Sequence, residues 1–308
     1  MSRYVLEVPA TTANLGPGYD AFGLALGMHN TVYAELAEDW SVEIQGEGAD
    51  HLRADATNVV ARAMRRVFEE AGVPGRAAAI SCVNANPAGR GLGSSAAAIV
   101  GGALLGNALL EKPLAEEILF SLCVEIEGHP DNVAAAFCGG FTISALDGST
   151  PRVFSLTVGC GLAVVACVAR ESLRTAQARK MLPASVPHAD AAFNAGRAGM
   201  LAAGLVSGRR DLVAMGLSDR IHEPYRAGSI AGFAGVRDAL MDAGADGAVL
   251  SGAGPTIVGI VCGDDDEAAF ARAGDIAGRS ASLVESLGGH RAGVALRIQR
   301  ERPVVRKA

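Results

Sequence analysis

Lysine is almost missing from this chain, with three among 308 residues, at positions 112, 180 and 307. None follows a glycine, so a Walker-type phosphate loop, whose Gly-Lys reaches the terminal phosphates, is excluded. There is no basic block and the net charge is −6, so the phosphate-tracking surface of a nucleic-acid binder is not expected. The six cysteines, at 82, 123, 138, 160, 167 and 262, include no C-x-x-C pair, and no close pairing occurs among the six histidines. Neither a disulfide frame nor a zinc site follows, and scattered buried thiols suit a reducing compartment. The N-terminal stretch MSRYVLEVPATTANLG lacks the apolar core of a secretory leader, and a cytoplasmic location is expected.

Half the residues are hydrophobic and 19% are charged, as in a well-packed globule of two domains or one large one. Gly91 to Leu110 is a run of 20 residues without a charge, long enough on paper to span a bilayer. Its five glycines, with Ser94, Ser95 and Asn107, point instead to a buried helix behind a glycine turn, and no membrane partner is expected.

Strand alternation marks Tyr4–Val8, Thr31–Leu36, Val42–Gln45 and Ala77–Val83. Helix signals cover Asn58–Ala71, Pro113–Ile126 and Asp131–Cys138, the first with Thr57 or Asn58 as its cap. Phe141–Ala145 and Val153–Thr157 read as a hairpin, and a fresh buried strand at Leu162–Val168 places a domain boundary at 158/159. Beyond it, helices at about 175–182, 187–206, 232–243 and 264–275 mix with strands at Ala248–Ser251, Thr256–Val261 and Val294–Gln299. The expected class is α+β in two parts, 1–158 and 159–308.

The stretch GRGLGSSAAA carries the chemistry. A Rossmann fingerprint fits it poorly, because Ala96 fills the third glycine place and Glu111 follows a helix. The better reading is a phosphate loop made of backbone. Gly89, Gly91 and Gly93 let the main chain approach an anion, and Ser94-Ser95 open a helix whose free N–H groups and dipole face it. On this reading a side chain at those glycines would fill the phosphate's place. The alternative is a turn needed only for close packing of strand against helix.

Three motifs in order, Pro9-Ala-Thr-Thr-Ala-Asn14-Leu-Gly-Pro-Gly18-Tyr-Asp20, Pro87 to Ala96, and Ser251-Gly-Ala-Gly254-Pro-Thr256, resemble the signatures of the galactokinase, homoserine kinase, mevalonate kinase and phosphomevalonate kinase (GHMP) superfamily. Glu127-Gly-His129-Pro-Asp131-Asn132, Thr175-x-x-x-Arg179-x-x-Leu182-Pro183 and His222-Glu-Pro-Tyr-Arg226 make the chain similar to the homoserine kinases within it. The resemblance implies the two-domain GHMP kinase fold, with an N-terminal domain like domain 2 of ribosomal protein S5 and a ferredoxin-like C-terminal domain. It implies ATP and Mg²⁺ as cofactors and L-homoserine as substrate, phosphorylated on its side-chain hydroxyl in threonine biosynthesis. The oligomeric state stays open, a homodimer being compatible.

By the same resemblance the loop Pro87, Ala88, Gly89, Arg90, Gly91, Leu92, Gly93, Ser94, Ser95, Ala96 and Ala97 would hold the nucleotide phosphates. Ser95 or Ser94 would join Glu127 on the metal, with Glu125 as reserve. Arg179 and Arg226 would clamp the substrate carboxylate, since a planar guanidinium fork suits two oxygens. Thr175 lies one helical turn before Arg179. Asn14 and Asp20 would take the ammonium, and His129, Asp131 and Asn132 would flank the reacting hydroxyl. Asn132 cannot act as a base, so transfer by positioning is the expected mechanism, with Asp131 or Asp20 as rival bases. Tyr19 stands where phenylalanine is frequent and Ala135 where proline is; neither is expected to touch the chemistry. The other readings are a different small-molecule kinase of the superfamily, a silent binding protein of the same fold, and a nicotinamide dehydrogenase.

Overall fold

The computed structural model describes residues 2–308. Strand β1 (Tyr4–Ala13) turns back into the long β2 (Phe22–Ala37), and β3 (Ser41–Gly46) leads to helix α1 (Val59–Glu70). After β4 (Ala77–Asn84) come three helices, α2 (Ser94–Ala108), α3 (Glu116–Glu127) and α4 (Asp131–Cys138). The hairpin β5 (Phe141–Asp147) and β6 (Thr150–Leu156) closes the first half. The second half runs β7 (Gly161–Cys167), α5 (Thr175–Lys180), α6 (His188–Ser207), α7 (Arg210–Gly216), α8 (Glu223–Ala227) and α9 (Phe233–Asp242). It ends with β8 (Gly247–Leu250), β9 (Ile257–Gly263), α10 (Asp266–Ser286), β10 (Val294–Arg297) and the two-residue β11 (Arg306–Lys307).

The strands form two sheets. In the first the order is β11-β1-β2-β4-β3, and β5, itself paired to β6, joins the other end of β2. Sixteen residues make β2 long enough for both partners: positions 22–24 pair with β5 and 31–37 with β4. The second sheet has the order β10-β7-β9-β8. The chain passes between sheets across Thr157–Cys160, where the boundary proposed at 158/159 falls, and its last residues return to pair with β1.

Strand β7 shows why its sequence, GLAVVAC, is apolar throughout. Leu162, Val164 and Ala166 face the core between the two sheets, while Ala163, Val165 and Cys167 face the core under α9 and α10. A strand buried on both faces has no polar alternation to keep. Helix α2 is buried in a similar way. Gly102 and Gly106 let α1 approach so closely that a Cβ would meet the Val60 carbonyl and the Met64 side chain. The uncharged run is therefore a core helix of 15 residues, and among the described residues no helix is long and apolar enough to cross a membrane.

Most expected elements occur, but the strand expected from Thr31 starts at Phe22, where it pairs with β1 and β5, and three further differences stand out. Helix α10 runs to Ser286 rather than to 275, because Gly274 and Gly278 have no neighbour within 4 Å while Ala273, Ile276, Ala277 and Val284 pack on the opposite side. The short α7 and α8 carry too little periodicity to be read in advance. The first motif occupies strand as well as turn, since β1 continues through Ala13.

Candidate active site

The six motifs converge where the two sheets meet. The turn after β1 is strained: Asn14, Leu15 and Asp20 have φ of 67, 48 and 54°, a region most side chains avoid. Several bonds hold it there. Asn14 Nδ2 donates to Gly252 O (2.8 Å), Asp20 N donates to Asn14 Oδ1 (2.9 Å), and Leu15 is buried in the core between the sheets. Asn14 lines the cavity, but both ends of its amide are engaged by protein. It is a brace of the turn, and only the second lone pair of its Oδ1 is left for the acceptor role expected toward an ammonium.

The glycine loop is tied to the first and third motifs. Thr11 N donates to Leu92 O (3.0 Å), Ser251 Oγ to Gly91 O (2.6 Å) and Thr256 N to Arg90 O (3.3 Å). A Cβ on Gly91 would sit 2.6 Å from Ser251 O, and one on Gly93 would sit 1.8 Å from Thr11 Oγ1. A side chain on either would collide with protein, so the packing explanation holds for both of them, while their backbone lines the polar cavity. Gly93, with φ of 64°, also starts α2 without a side-chain cap, leaving the first N–H groups of the helix unpaired by protein side chains. The side chains of Leu92, Ala96 and Ala97 are buried in hydrophobic cores, so only their backbone could meet a ligand, and Ala97 N already donates to Gly93 O (2.9 Å). Pro87 and Arg90 do not line a cavity at the loop either.

Two cavities flank the loop and share Gly89, Ser94 and Ser95. The polar one, about 90 Å³, is lined by Asn14, Asp20, Glu127, His129, Asp131, Asn132, Thr175, Arg179 and Arg226, so the expected residues do meet. Tyr19, Leu173 and the Gly252–Gly254 turn complete it.

At its loop end, Ser95 Oγ donates to Glu127 Oε2 (2.7 Å). Ser94 Oγ points to Asn86 O (3.4 Å). Burial pushes the Glu127 carboxyl above its usual range, against the opposing pull of the Ser95 hydrogen bond and the His129 charge. Such a carboxylate is short of positive charge. Glu125 is not a reserve for it: its side chain is 61% exposed and pairs with Arg66. His129 Nδ1 meets Asp131 Oδ1 (2.9 Å), and its Nε2 lies 3.8 Å from Glu127 Oε1. Burial lowers its pKa, but the Asp131 hydrogen bond and the two nearby carboxylates outweigh that, and the net shift is upward. Asp131 also accepts from Asn132 N (2.8 Å), and Asn132 Oδ1 accepts from Thr11 Oγ1 (2.8 Å).

At the other end, Arg179 grips Asp20 with both nitrogens (2.7 and 2.8 Å), side chains 35% and 33% exposed. Its Nη1 also donates to the Tyr19 hydroxyl (2.8 Å). Tyr19, expected to stand clear of the chemistry, lines the cavity next to the left-handed Asp20. Arg226 is 1% exposed, donating to Gly252 O (3.3 Å) and contacting His222 Nδ1 (3.2 Å). His222 in turn reaches Gly16 O through Nε2 (2.7 Å). Burial holds its pKa down, so the neutral ring donates to Gly16 and accepts from Arg226.

The apolar cavity, about 320 Å³, lies between β2, β3, β4 and the start of α1 and α2. Val32, Ile44, Leu52, Val59, Val60 and Ala98 line it, with Asn30, Arg53, Thr57, Asn58 and Asn84 as polar groups and Ala88 from the loop. Among the expected residues only Ala88, Gly89, Ser94 and Ser95 reach it. The others are spread over five elements with no motif to join them.

The family models of the GHMP kinase N-terminal domain and GHMP kinase C-terminal region match residues 58–140 and 189–279. A homoserine kinase of Synechococcus sp. (strain CC9902) is 41% identical over 276 residues, covering 88% of this chain and 87% of that protein. One of Carboxydothermus hydrogenoformans is 39% identical, covering 89% and 86%. The crystal structure of homoserine kinase from Cytophaga hutchinsonii superposes with a TM-score of 0.86 at 28% identity, over 99% of this chain and 98% of that one. A mevalonate kinase structure, at 15% identity and a TM-score of 0.62, shares the fold alone. With about two-fifths identity to curated homoserine kinases over nearly nine-tenths of its length, this chain belongs to the homoserine kinase family of the GHMP kinases.

Proposed function

We propose that this chain transfers the terminal phosphoryl group of ATP to the side-chain hydroxyl of L-homoserine, giving O-phospho-L-homoserine for threonine biosynthesis in the cytoplasm. The observation that carries the reading is the pair of cavities sharing Gly89, Ser94 and Ser95. A nucleoside suits the apolar cavity, an amino acid suits the charged one, and phosphates bridging them would cross the uncapped start of α2. Unpaired N–H groups at a helix N-terminus favour an anion.

Ser95 and Glu127 are the residues that would hold Mg²⁺. Their hydrogen-bonded oxygens and the raised Glu127 pKa fit a cation there. Among the described residues no three His, Cys, Asp or Glu gather to hold a metal unaided, so phosphate oxygens would complete its shell. When bound, the ion would neutralise charge on the transferred group.

Arg179 and the buried Arg226 offer a carboxylate site, and Asp20 an ammonium site. Neither Asp20, paired with Arg179, nor Asp131, engaged by His129 and Asn132 N, is a free base. Asn132 presents Oδ1 to Thr11, and its Nδ2, which also donates to Asp131 Oδ1 (3.5 Å), keeps one N–H for the reacting hydroxyl. An amide N–H orients an oxygen and cannot take its proton. The chain therefore works by alignment and charge neutralisation, which dominate phosphoryl transfer. The test is coupled ADP release with L-homoserine, mevalonate and galactose side by side. Turnover restricted to homoserine supports the proposal; turnover with mevalonate and none with homoserine overturns it.

A further inference from the structure

Tyr19 stands among the groups assigned to the substrate's charged end. Its hydroxyl accepts from Arg179 Nη1 at 2.8 Å. Its ring centroid lies 5.7 Å from the Arg179 guanidinium carbon, 5.5 Å from that of Arg226 and 5.5 Å from the His222 ring. Arg179 is thus held by two anchors of different charge: the Asp20 carboxylate through both nitrogens, and a phenol through one.

The difference matters once a zwitterion arrives. An ammonium beside Asp20 competes with Arg179 for the same carboxylate, so the anionic anchor weakens as the substrate binds. A phenol accepts a hydrogen bond without neutralising the guanidinium, leaving its charge for an incoming carboxylate. We propose that the Tyr19 hydroxyl is a positioning group that keeps Arg179 aligned for a substrate carboxylate while Asp20 turns to the ammonium. It thereby strengthens this chain's hold on amino alcohols that carry a carboxylate. This rests on the homoserine reading above. Burial, the largest influence on the phenol, raises its pKa, so it stays neutral through the working pH range.

The test compares wild type with Tyr19→Phe, which keeps the ring and its contacts with His222 and the two arginines. L-homoserine is one ligand; 3-aminopropan-1-ol, which is homoserine without its carboxylate, is the other, measured as an inhibitor of homoserine turnover. Loss of one hydrogen bond to a charged group should raise the homoserine KM about tenfold. The kcat, the ATP KM, the thermal midpoint and the inhibition constant of 3-aminopropan-1-ol should stay within about twofold of wild type or near its value. An unchanged homoserine KM overturns the proposal, as does equal weakening of both ligands. A fall in kcat together with the thermal midpoint would show a merely structural role and overturns it too. Failure of the parent reading is visible separately, in wild-type enzyme that releases no ADP with homoserine.

Discussion

The two cavities that meet at Ser94 and Ser95 are built on opposite principles. In the polar one nearly every charged group is already paired with another protein group: Arg179 with Asp20, His129 with Asp131, Glu127 with Ser95. In the apolar one the walls offer shape, a few amide and hydroxyl groups and a single charged side chain, Arg53, and Asn58 is spent on capping α1 through Val60 N (2.9 Å). Charged groups half hidden from water need partners before a ligand comes, so that site is organised in advance by exchangeable ion pairs. An apolar cavity needs no such partners and is organised by the packing behind it.

If that contrast is right, the largest effect should come from removing charge at the junction. Glu127→Gln should lower kcat by about 10²–10³, the range for loss of one transition-state charge contact, with the homoserine KM within a few-fold. Steady-state kinetics with saturating ATP checks this, and an unaltered kcat would remove Glu127 from the metal site. Gly93→Ala comes next, since a left-handed φ costs about 1–2 kcal/mol and forcing apart Thr11 and the loop about as much again. Urea unfolding should show roughly 3 kcal/mol lost; a loss under about 0.5 kcal/mol would mean that the close approach to Thr11 is easily relieved.

Filling the apolar cavity should separate the two sites. Ala98→Leu should raise the ATP KM about tenfold, as for misfit by a few methylenes, and leave the homoserine KM alone. Equal rises in both constants would contradict independent cavities. Asn58→Ala should cost about 1 kcal/mol of stability through its lost cap, with a lowered thermal midpoint as readout.

An effect that depends on pH is expected at Glu223, behind the polar cavity. Burial pushes its carboxyl up to about 8, and its Oε1 accepts from Leu250 N (2.6 Å). A raised folded-state pKa favours the protonated form, so its contribution is present at low pH. It is lost as pH rises from the unfolded value near 4.5 through about 8. Glu223→Gln should therefore flatten the fall in stability across that window, measured by urea unfolding at pH 5, 6.5 and 8. A slope identical to wild type would place the titration elsewhere.

The same contrast explains what could be read in advance. Asp20, His129, Asp131, Asn132, Arg179 and Arg226 were legible because charge and hydrogen-bonding type are written in single letters and cluster in short motifs. Val32, Ile44, Val60 and Ala98 were not, since nothing in an apolar letter separates a cavity wall from a core. The place of Tyr19 in the site is not legible either, because the groups it meets, Arg179, His222 and Arg226, lie 160 or more residues further along the chain. Gly91 and Gly93 were seen as essential for a reason that proved different: their nearest neighbours are Ser251 and Thr11, 160 and 82 residues away in sequence.

By itself, then, the sequence determined the class of fold, the apolar strands and helices, and the short polar runs from which a site is made. These depend on local periodicity and on residue type, which any stretch of chain carries with it. Only the tertiary structure decided that Arg179 would hold Asp20 and Tyr19 together, that Ser95 rather than Ser94 would face Glu127, and that a second cavity would open beside the loop. Those outcomes require groups far apart in the chain to be packed within 3 Å of one another, and burial then leaves each polar group no partner except the one folding supplies.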